Sequence, residues 1–332
     1  MKKTSRFSIG YLEFLWTAKL FVGFAVVSFL FSTLVYMVMV VFAQPEPVNH
    51  VIATTAETAM TKVEVTTGYI PLMWSIFIHN TVAVLTACAG TGVFLYMHSL
   101  MIGELGIRKQ HSTYSNISSR IERLLWPVYR LIHYTVSRFN TSVSEIDREV
   151  SSTDEGSIWD LCGYTKNEYR TFSWIMPYTV PALVIIVNAV LIGILFAFLN
   201  FNSALIAYQS IGNPGIIAGI LYSWVYFTVS VLPHGIIEIP VILFSAAIGY
   251  RFARIQSGMI TDNDLFTDDD MDELKNDVEK INSVTREYLS SGYLRKFCLI
   301  SIILLLIAAY IEINITPLIM ERSMQAIEGF ML

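Results

Sequence analysis

The chain has 332 residues, of which 54% are hydrophobic and 15% are charged, and its mean hydropathy is +0.54. An average soluble domain carries about a quarter charged residues, so the composition excludes an ordinary soluble enzyme. The net charge of −5 gives no reason to expect a nucleic acid partner. The three cysteines argue against a disulfide framework.

Long runs without charged residues predict the membrane segments. A helix needs roughly 20 such residues to cross the hydrocarbon core. Helices are favoured over strands, because the chain lacks the short alternating segments of a membrane barrel. We therefore predict an all-α, polytopic helical integral membrane protein with five to seven membrane segments and broken or re-entrant helices. The charge-free runs are Leu20–Ala43, Pro71–Gly103, Thr171–Ile237 and Phe297–Ile311.

The distribution of Lys and Arg predicts the orientation. With a cytoplasmic N-terminus, 20 of the 22 basic residues lie on the cytoplasmic side, and Lys62 and Arg322 lie outside. The prediction is a multi-pass protein of the plasma membrane. Its parts are the first membrane segments (1–107, with an external loop at 44–70), a cytoplasmic basic amphipathic insertion (108–173), the central membrane segments (174–254), a cytoplasmic acidic and amphipathic helix (255–296) and a C-terminal helix with its tail (297–332).

This orientation requires an odd number of crossings in 71–107 and again in 215–250. Each stretch is too long for one simple span and too short for three. We expect a break near Gly90-Thr91-Gly92 in the first stretch and at Pro233-His234-Gly235 in the second. The alternative is a tight helical hairpin in each stretch, which would place 108–172 outside.

The insertion contains an amphipathic pattern. From Ile117 to Thr135, apolar residues recur every three or four positions, and basic residues lie between them. Such a helix suits the inner membrane interface, where anionic lipid attracts basic side chains. The alternative is a solvated helix that packs on the rest of the protein. The predicted interface residues are Arg120, Arg123, Arg130, Arg138 and Trp126.

The segment that follows the central membrane part predicts a second helix. Its apolar face holds Leu274, Val278, Ile281 and Tyr288, and Asp268 or Asp269 is expected to cap its N-terminus.

A few polar residues interrupt the apolar runs. An ionisable group in the bilayer core costs a few kcal/mol at least, so it normally faces a partner or a wet cavity. His234 and Glu238 are four residues apart and share one face of a continuing helix. A proton relay, a contact to a lipid headgroup or substrate, a metal site and a buried structural pair all remain open. The predicted intramembrane polar cluster consists of His234, Gly235, Glu238, Glu312, His79 and Asn80.

Motifs for catalysis are missing from the sequence. The string from His234 to Glu238 supplies one His and one Glu, but no second His for a metalloprotease helix. No P-loop, dinucleotide fingerprint or Gly-x-Ser-x-Gly string occurs. We predict no catalytic residues, no cofactor and no enzyme activity.

Three stretches resemble the stage II sporulation protein M (SpoIIM) family. The central one runs from Leu232 to Pro240 and reads LPHGIIEIP. The stretch around His79-Asn80 resembles the second-helix motif of that family, and the stretch from Ile307 to Pro317 resembles its closing motif. The resemblance implies a small multispanning protein and, from the namesake, a scaffold in a membrane complex. The chain departs from the pattern through the 108–172 insertion and a degenerate Asn-Gly motif at His98 to Gly106.

Two functions follow as hypotheses. The first is a non-enzymatic scaffold or assembly subunit of a membrane complex, whose partners are membrane lipid, other membrane or envelope proteins, or further copies of itself. The alternative is a transporter or permease subunit in which His234, Glu238 and Glu312 line a hydrated path.

Overall fold

A computed structural model describes residues 6–42, 69–139 and 157–331 of the chain. The predicted external loop at 44–70 lies outside the described residues, apart from its last two. The helices are α1 (Tyr11–Phe42), α2 (Leu72–Ala89), α3 (Phe94–Gln110), α4 (Ser112–Phe139), α5 (Lys166–Ile211), α6 (Asn213–Asp262), α7 (Met271–Leu289), α8 (Gly292–Asn314) and α9 (Thr316–Met331). Short 3-10 helices lie at Gly90–Val93 and Ile158–Leu161.

Five helices are long and apolar enough to cross a membrane. They are Tyr11–Val40, Leu72–Gly92, Lys166–Ile211, Asn213–Asp262 and Gly292–Asn314. The described residues form helices and contain no strand. The prediction of an all-α polytopic membrane protein with five to seven segments is therefore confirmed.

One of the two expected helix breaks is present. A 3-10 helix at Gly90–Val93 separates α2 from α3, where the sequence predicted a break. The second prediction was wrong, because α6 continues as one α-helix through Pro233 and Pro240. A proline removes one backbone hydrogen bond, and membrane helices tolerate this loss because neighbouring groups satisfy the freed carbonyl.

The described chain divides into two compact units. The polar unit comprises Met1–Ser8, Cys88–Pro181 and Ile248–Arg295. The apolar unit comprises Ile9–Ala87, Ala182–Ala247 and Lys296–Leu332. Each unit thus collects pieces that are distant in sequence.

The core of the polar unit joins its two large segments. Trp159 and Tyr169 from the first segment are buried in one cluster with Leu265 and Phe266 from the second. The apolar face predicted for α7 is buried as expected, with Leu274, Val278 and Ile281 in this cluster and Tyr288 also buried. The expected capping residue was wrong: Asp270 caps α7, and its carboxylate accepts the backbone N–H of Asp272 at 3.0 Å.

The apolar unit has little interior for its size. Its core places Val84 and Ala87 of α2 against Ile185 of α5, Ala246 of α6 and Leu305 of α8. Many of its large apolar side chains face outward, which suits a lipid environment. Small residues bring helices close together: a Cβ on Gly193 of α5 would lie 1.9 Å from Oγ of Ser28 on α1.

Candidate functional site

Three of the predicted polar residues meet in the apolar unit. His234 and Glu238 lie on α6, and Glu312 lies on α8. One imidazole nitrogen and one oxygen from each carboxylate all lie within 4.8 Å of one another. All three residues are partly buried. We call His234, Glu238 and Glu312 the His-Glu-Glu cluster.

The continuous path of α6 creates the first half of this cluster. Because the helix does not break at Pro233, the four-residue spacing keeps His234 and Glu238 on one face. Gly235 lies between them and is buried. A Cβ at Gly235 would lie 3.2 Å from the side chain of Val231 on the preceding turn. A larger residue at position 235 would therefore disturb the packing within this part of α6.

The second half of the cluster comes from the end of α8. Glu312 follows Lys296 by 16 residues, which is about 24 Å along a helix. A hydrocarbon core is about 30 Å thick. If Lys296 lies at one surface of the membrane, Glu312 lies inside the hydrocarbon core, towards the opposite surface.

The hydrogen bonding of His234 is incomplete. Its Nδ1 atom is buried and has no hydrogen-bond partner among the described residues. Buried polar atoms are hydrogen-bonded in the large majority of cases. Two carboxylates and an unpartnered imidazole nitrogen in an apolar unit are costly unless something neutralises or bonds them.

His79 and Asn80 lie on α2 and are half-buried. Neither belongs to the group of three whose ligand atoms converge. Of the predicted intramembrane cluster, the structure brings the ligand atoms of His234, Glu238 and Glu312 together.

The basic amphipathic helix α4 has two different faces. One face packs within the polar unit, where the backbone N–H of Gly163 donates to the carboxylate of Glu122 at 2.6 Å. The apolar stripe is exposed: Ile121 keeps 57% of its surface and Leu124 keeps 80%. Arg120, Arg123 and Arg130 are exposed as well, whereas the side chains of Trp126 and Arg138 lie outside the described residues.

A buried ionic network attaches α4 to α3, and the sequence analysis missed it. Arg108 is 2% exposed and donates to Glu104 at 2.7 Å and to Glu122 at 2.5 Å. It also donates to the carbonyl of Leu161 at 3.1 Å. Although burial opposes ionisation, Arg108 and Ser118 hold the pKa of Glu104 below its usual value. The four-residue spacing of Glu104 and Arg108 was a sequence signal for this pair.

A buried histidine completes the interior of the polar unit. Nδ1 of His98 lies 2.6 Å from the hydroxyl of Tyr169, and its ring stacks on Phe266 with centroids 5.6 Å apart. Burial lowers the pKa of His98 to about 4. The backbone N–H of Phe266 donates to the buried carboxylate of Asp277 at 2.8 Å. These contacts lock the turn between α6 and α7.

The thiol of Cys162 in the same unit is buried. Burial raises its pKa to about 11. A nucleophilic cysteine needs a substantial thiolate fraction near neutral pH, so this environment suits packing and gives no support to a catalytic thiol.

The five candidate spans define a polytopic helical membrane protein. Residues 164–317 match the family model for Stage II sporulation protein M. All members of the His-Glu-Glu cluster fall inside the matched range, while α4 and the His79-Asn80 pair fall before it. No curated protein and no solved structure matches the chain.

Proposed function

We propose that this protein is a non-enzymatic scaffold or assembly subunit of a complex in the plasma membrane. Its N-terminus is cytoplasmic, and its polar unit provides the docking surface. The observation that carries this proposal is the exposed apolar stripe of α4, flanked by arginines, on a helix whose other face is held by buried ionic contacts.

The two faces of α4 fit a docking element. The Glu122 side binds Arg108, which fixes the helix on the polar unit. The stripe of Ile117, Ile121 and Leu124 lies on the opposite side by helical periodicity and is exposed. A contiguous exposed apolar surface rimmed by polar residues is typical of a protein or membrane interaction site.

The charges of α4 favour an anionic surface as its first contact. Arg120 and Arg123 flank the stripe and are exposed. Near an anionic leaflet each basic residue contributes about 1 kcal/mol. We propose that the stripe enters the inner interface of the membrane and that partner proteins then assemble on the lipid-anchored polar unit.

The packing of the polar unit supports a cytoplasmic position for it. The two segments predicted to be cytoplasmic, 108–173 and 255–296, contribute to one buried core, with Trp159 from the first and Phe266 from the second. Shared packing supports a single side of the membrane for the two segments, and the Lys and Arg count favours the inner side.

A paired set of variants tests the scaffold role. In native membranes, the double variant Arg120→Glu, Arg123→Glu should lose its co-purifying proteins, because the stripe no longer settles on anionic lipid. The matched control is Lys275→Glu, Arg286→Glu, which reverses two exposed charges on α7. Affinity purification and mass spectrometry measure the retained partners. Equal partner recovery from both variants, or no stable partner of the wild type, would contradict the scaffold.

The His-Glu-Glu cluster favours transport as the second candidate function. Ionisable groups inside membrane spans commonly mark ion and proton pathways. If Glu238 must change charge, Glu238→Gln should fold normally and abolish function, whereas a purely structural Glu238 should tolerate this near-isosteric change. Thermal stability in detergent, measured beside complementation in cells, separates the two outcomes.

A further inference from the structure

We propose that His234, Glu238 and Glu312 bind one divalent transition-metal ion such as Zn²⁺ or Mn²⁺ within the membrane. The site goes beyond the proposed scaffold role and does not depend on it. It consists of one imidazole and two carboxylates, contributed by α6 and α8, whose ligand atoms already lie within 4.8 Å of one another.

The ligand types select the class of ion. Imidazole suits Zn²⁺, Fe²⁺ and related ions, and carboxylates also accept Mn²⁺. Mg²⁺ and Ca²⁺ are hard cations that prefer oxygen ligands throughout, so a site with a histidine favours a transition metal. Three protein ligands leave at least one position for water or another small ligand.

The charge balance favours an ion over an empty cluster. Glu238 and Glu312 are partly buried in the apolar unit, and neither carboxylate belongs to any of the ion pairs that the described residues form with Lys or Arg. The two ionised carboxylates carry a charge of −2 and the neutral imidazole carries none, so a divalent cation makes the whole site electrically neutral. It also bonds the imidazole, whose Nδ1 is buried and lacks a hydrogen-bond partner in the described part of the chain.

The geometry requires a small closure. Zn²⁺ binds nitrogen and oxygen ligands at about 2.0–2.2 Å in tetrahedral geometry, so neighbouring ligand atoms around the ion are about 3.4 Å apart. The three atoms lie within 4.8 Å of one another, so they must approach by up to about 1.4 Å to reach tetrahedral distances. Rotation of the two Glu side chains supplies this movement without a change in the helices.

The alternative occupant of the cluster is a proton. The two carboxyl groups can share one or two protons in place of a metal, as close carboxylates do when like charges disfavour double ionisation. This state has no affinity for Zn²⁺ above that of ordinary surface carboxylates. Metal binding therefore distinguishes the two occupants.

The test is Zn²⁺ and Mn²⁺ titration of the untagged full-length protein in detergent, followed by calorimetry. We expect one saturable site per chain in the wild type. His234→Asn and Glu312→Gln should each raise the Kd at least about tenfold, since even supporting residues of metal sites cost 10- to 100-fold. The matched control is His79→Asn, which removes another half-buried membrane histidine outside the cluster and should leave the Kd unchanged.

A second measurement protects the test against misfolding. A bound ion stabilises the folded state, so Zn²⁺ should raise the Tm of the wild type and of His79→Asn but not that of the cluster variants. Glu238→Gln serves as a third variant if Glu312→Gln fails to fold. Absence of a saturable site in the wild type, or cluster variants that bind as tightly as the wild type, would overturn the proposal.

Discussion

The two units treat their polar side chains in opposite ways. In the polar unit, polar groups bond to partners far away in sequence: Lys166 pairs with Asp269, and Arg170 pairs with Asp264. In the apolar unit, they bond mainly to their own helix. Thr33, Asn188 and Thr228 each donate to the carbonyl four residues earlier.

This difference reflects the two solvents. A hydroxyl or amide that bonds to its own helix costs little in lipid, because it needs no partner from another segment. The His-Glu-Glu cluster departs from this hydrogen-bonding pattern, since its groups converge between two helices. Polar residues that do not bond to their own helix are therefore better candidates for functional residues than other polar residues of the apolar unit.

The largest expected effect comes from breaking the ionic network of the polar unit. Arg108→Met leaves Glu104 and Glu122 without their shared cation and should cost about 3–5 kcal/mol of unfolding free energy, as for other buried pairs that lose one partner. The control Lys109→Met changes an exposed neighbour and should cost less than about 0.5 kcal/mol. Denaturant unfolding in detergent measures both, and similar costs would show that the network is dispensable.

The next effect is a pH dependence specific to the polar unit. The pKa of His98 is about 4 in the folded protein, below the ordinary value of 6.5. Between pH 6.5 and pH 4, His98 is protonated in the unfolded chain but neutral in the folded protein. The unfolding free energy should therefore fall by up to about 3 kcal/mol as the pH drops from 6.5 to 4.

A variant isolates this contribution. His98→Asn should flatten the stability profile between pH 6.5 and 4.5, a range in which the lowered pKa of Glu104 keeps that carboxylate ionised in the folded protein. Unfolding midpoints across this range provide the measurement. An unchanged slope in the variant would assign the pH dependence to other groups.

Close helix packing in the apolar unit should give a smaller effect. Gly193→Ala places a methyl group 1.9 Å from Oγ of Ser28 and 2.4 Å from the carbonyl of Ala25. The helices must separate, and we expect a loss of about 2 kcal/mol. Gly23→Ala on α1 is the control, because its Cβ meets nothing within 4 Å. Thermal melting in detergent compares the two, and equal Tm values would refute tight packing at Gly193.

The smallest effect tests one hydrogen bond in the polar unit. The hydroxyl of Tyr288 donates to the carbonyl of Cys88 in a buried position. Tyr288→Phe keeps the ring stacked on Phe252 and should cost about 1 kcal/mol. Tyr11→Phe removes a hydroxyl that is largely exposed and should be neutral. A neutral Tyr288→Phe would mean that the carbonyl finds another donor.

The sequence predicted what depends on local pattern. The break at Gly90–Val93 and the buried face of α7 followed from glycine placement and helical periodicity. The continuity of α6 through Pro233 could not be predicted from local pattern. Whether a membrane helix continues through a proline depends on whether neighbouring helices and side chains satisfy the freed backbone groups. The sequence grouped Glu312 with His234 and Glu238 as polar residues of the membrane segments, but which members of that group meet depends on how two helices pack.

The contact between α1 and α5 has a consequence for biosynthesis. Oγ of Ser28 donates to the carbonyl of Val190 at 3.3 Å, across 162 residues of sequence. At about 5–20 residues per second, the ribosome needs roughly 8–30 seconds to make the intervening chain. During this time α1 must remain in the bilayer without its partner. Helix α1 has no charged residue after Lys19, so it can remain in the bilayer as a single helix until α5 is made.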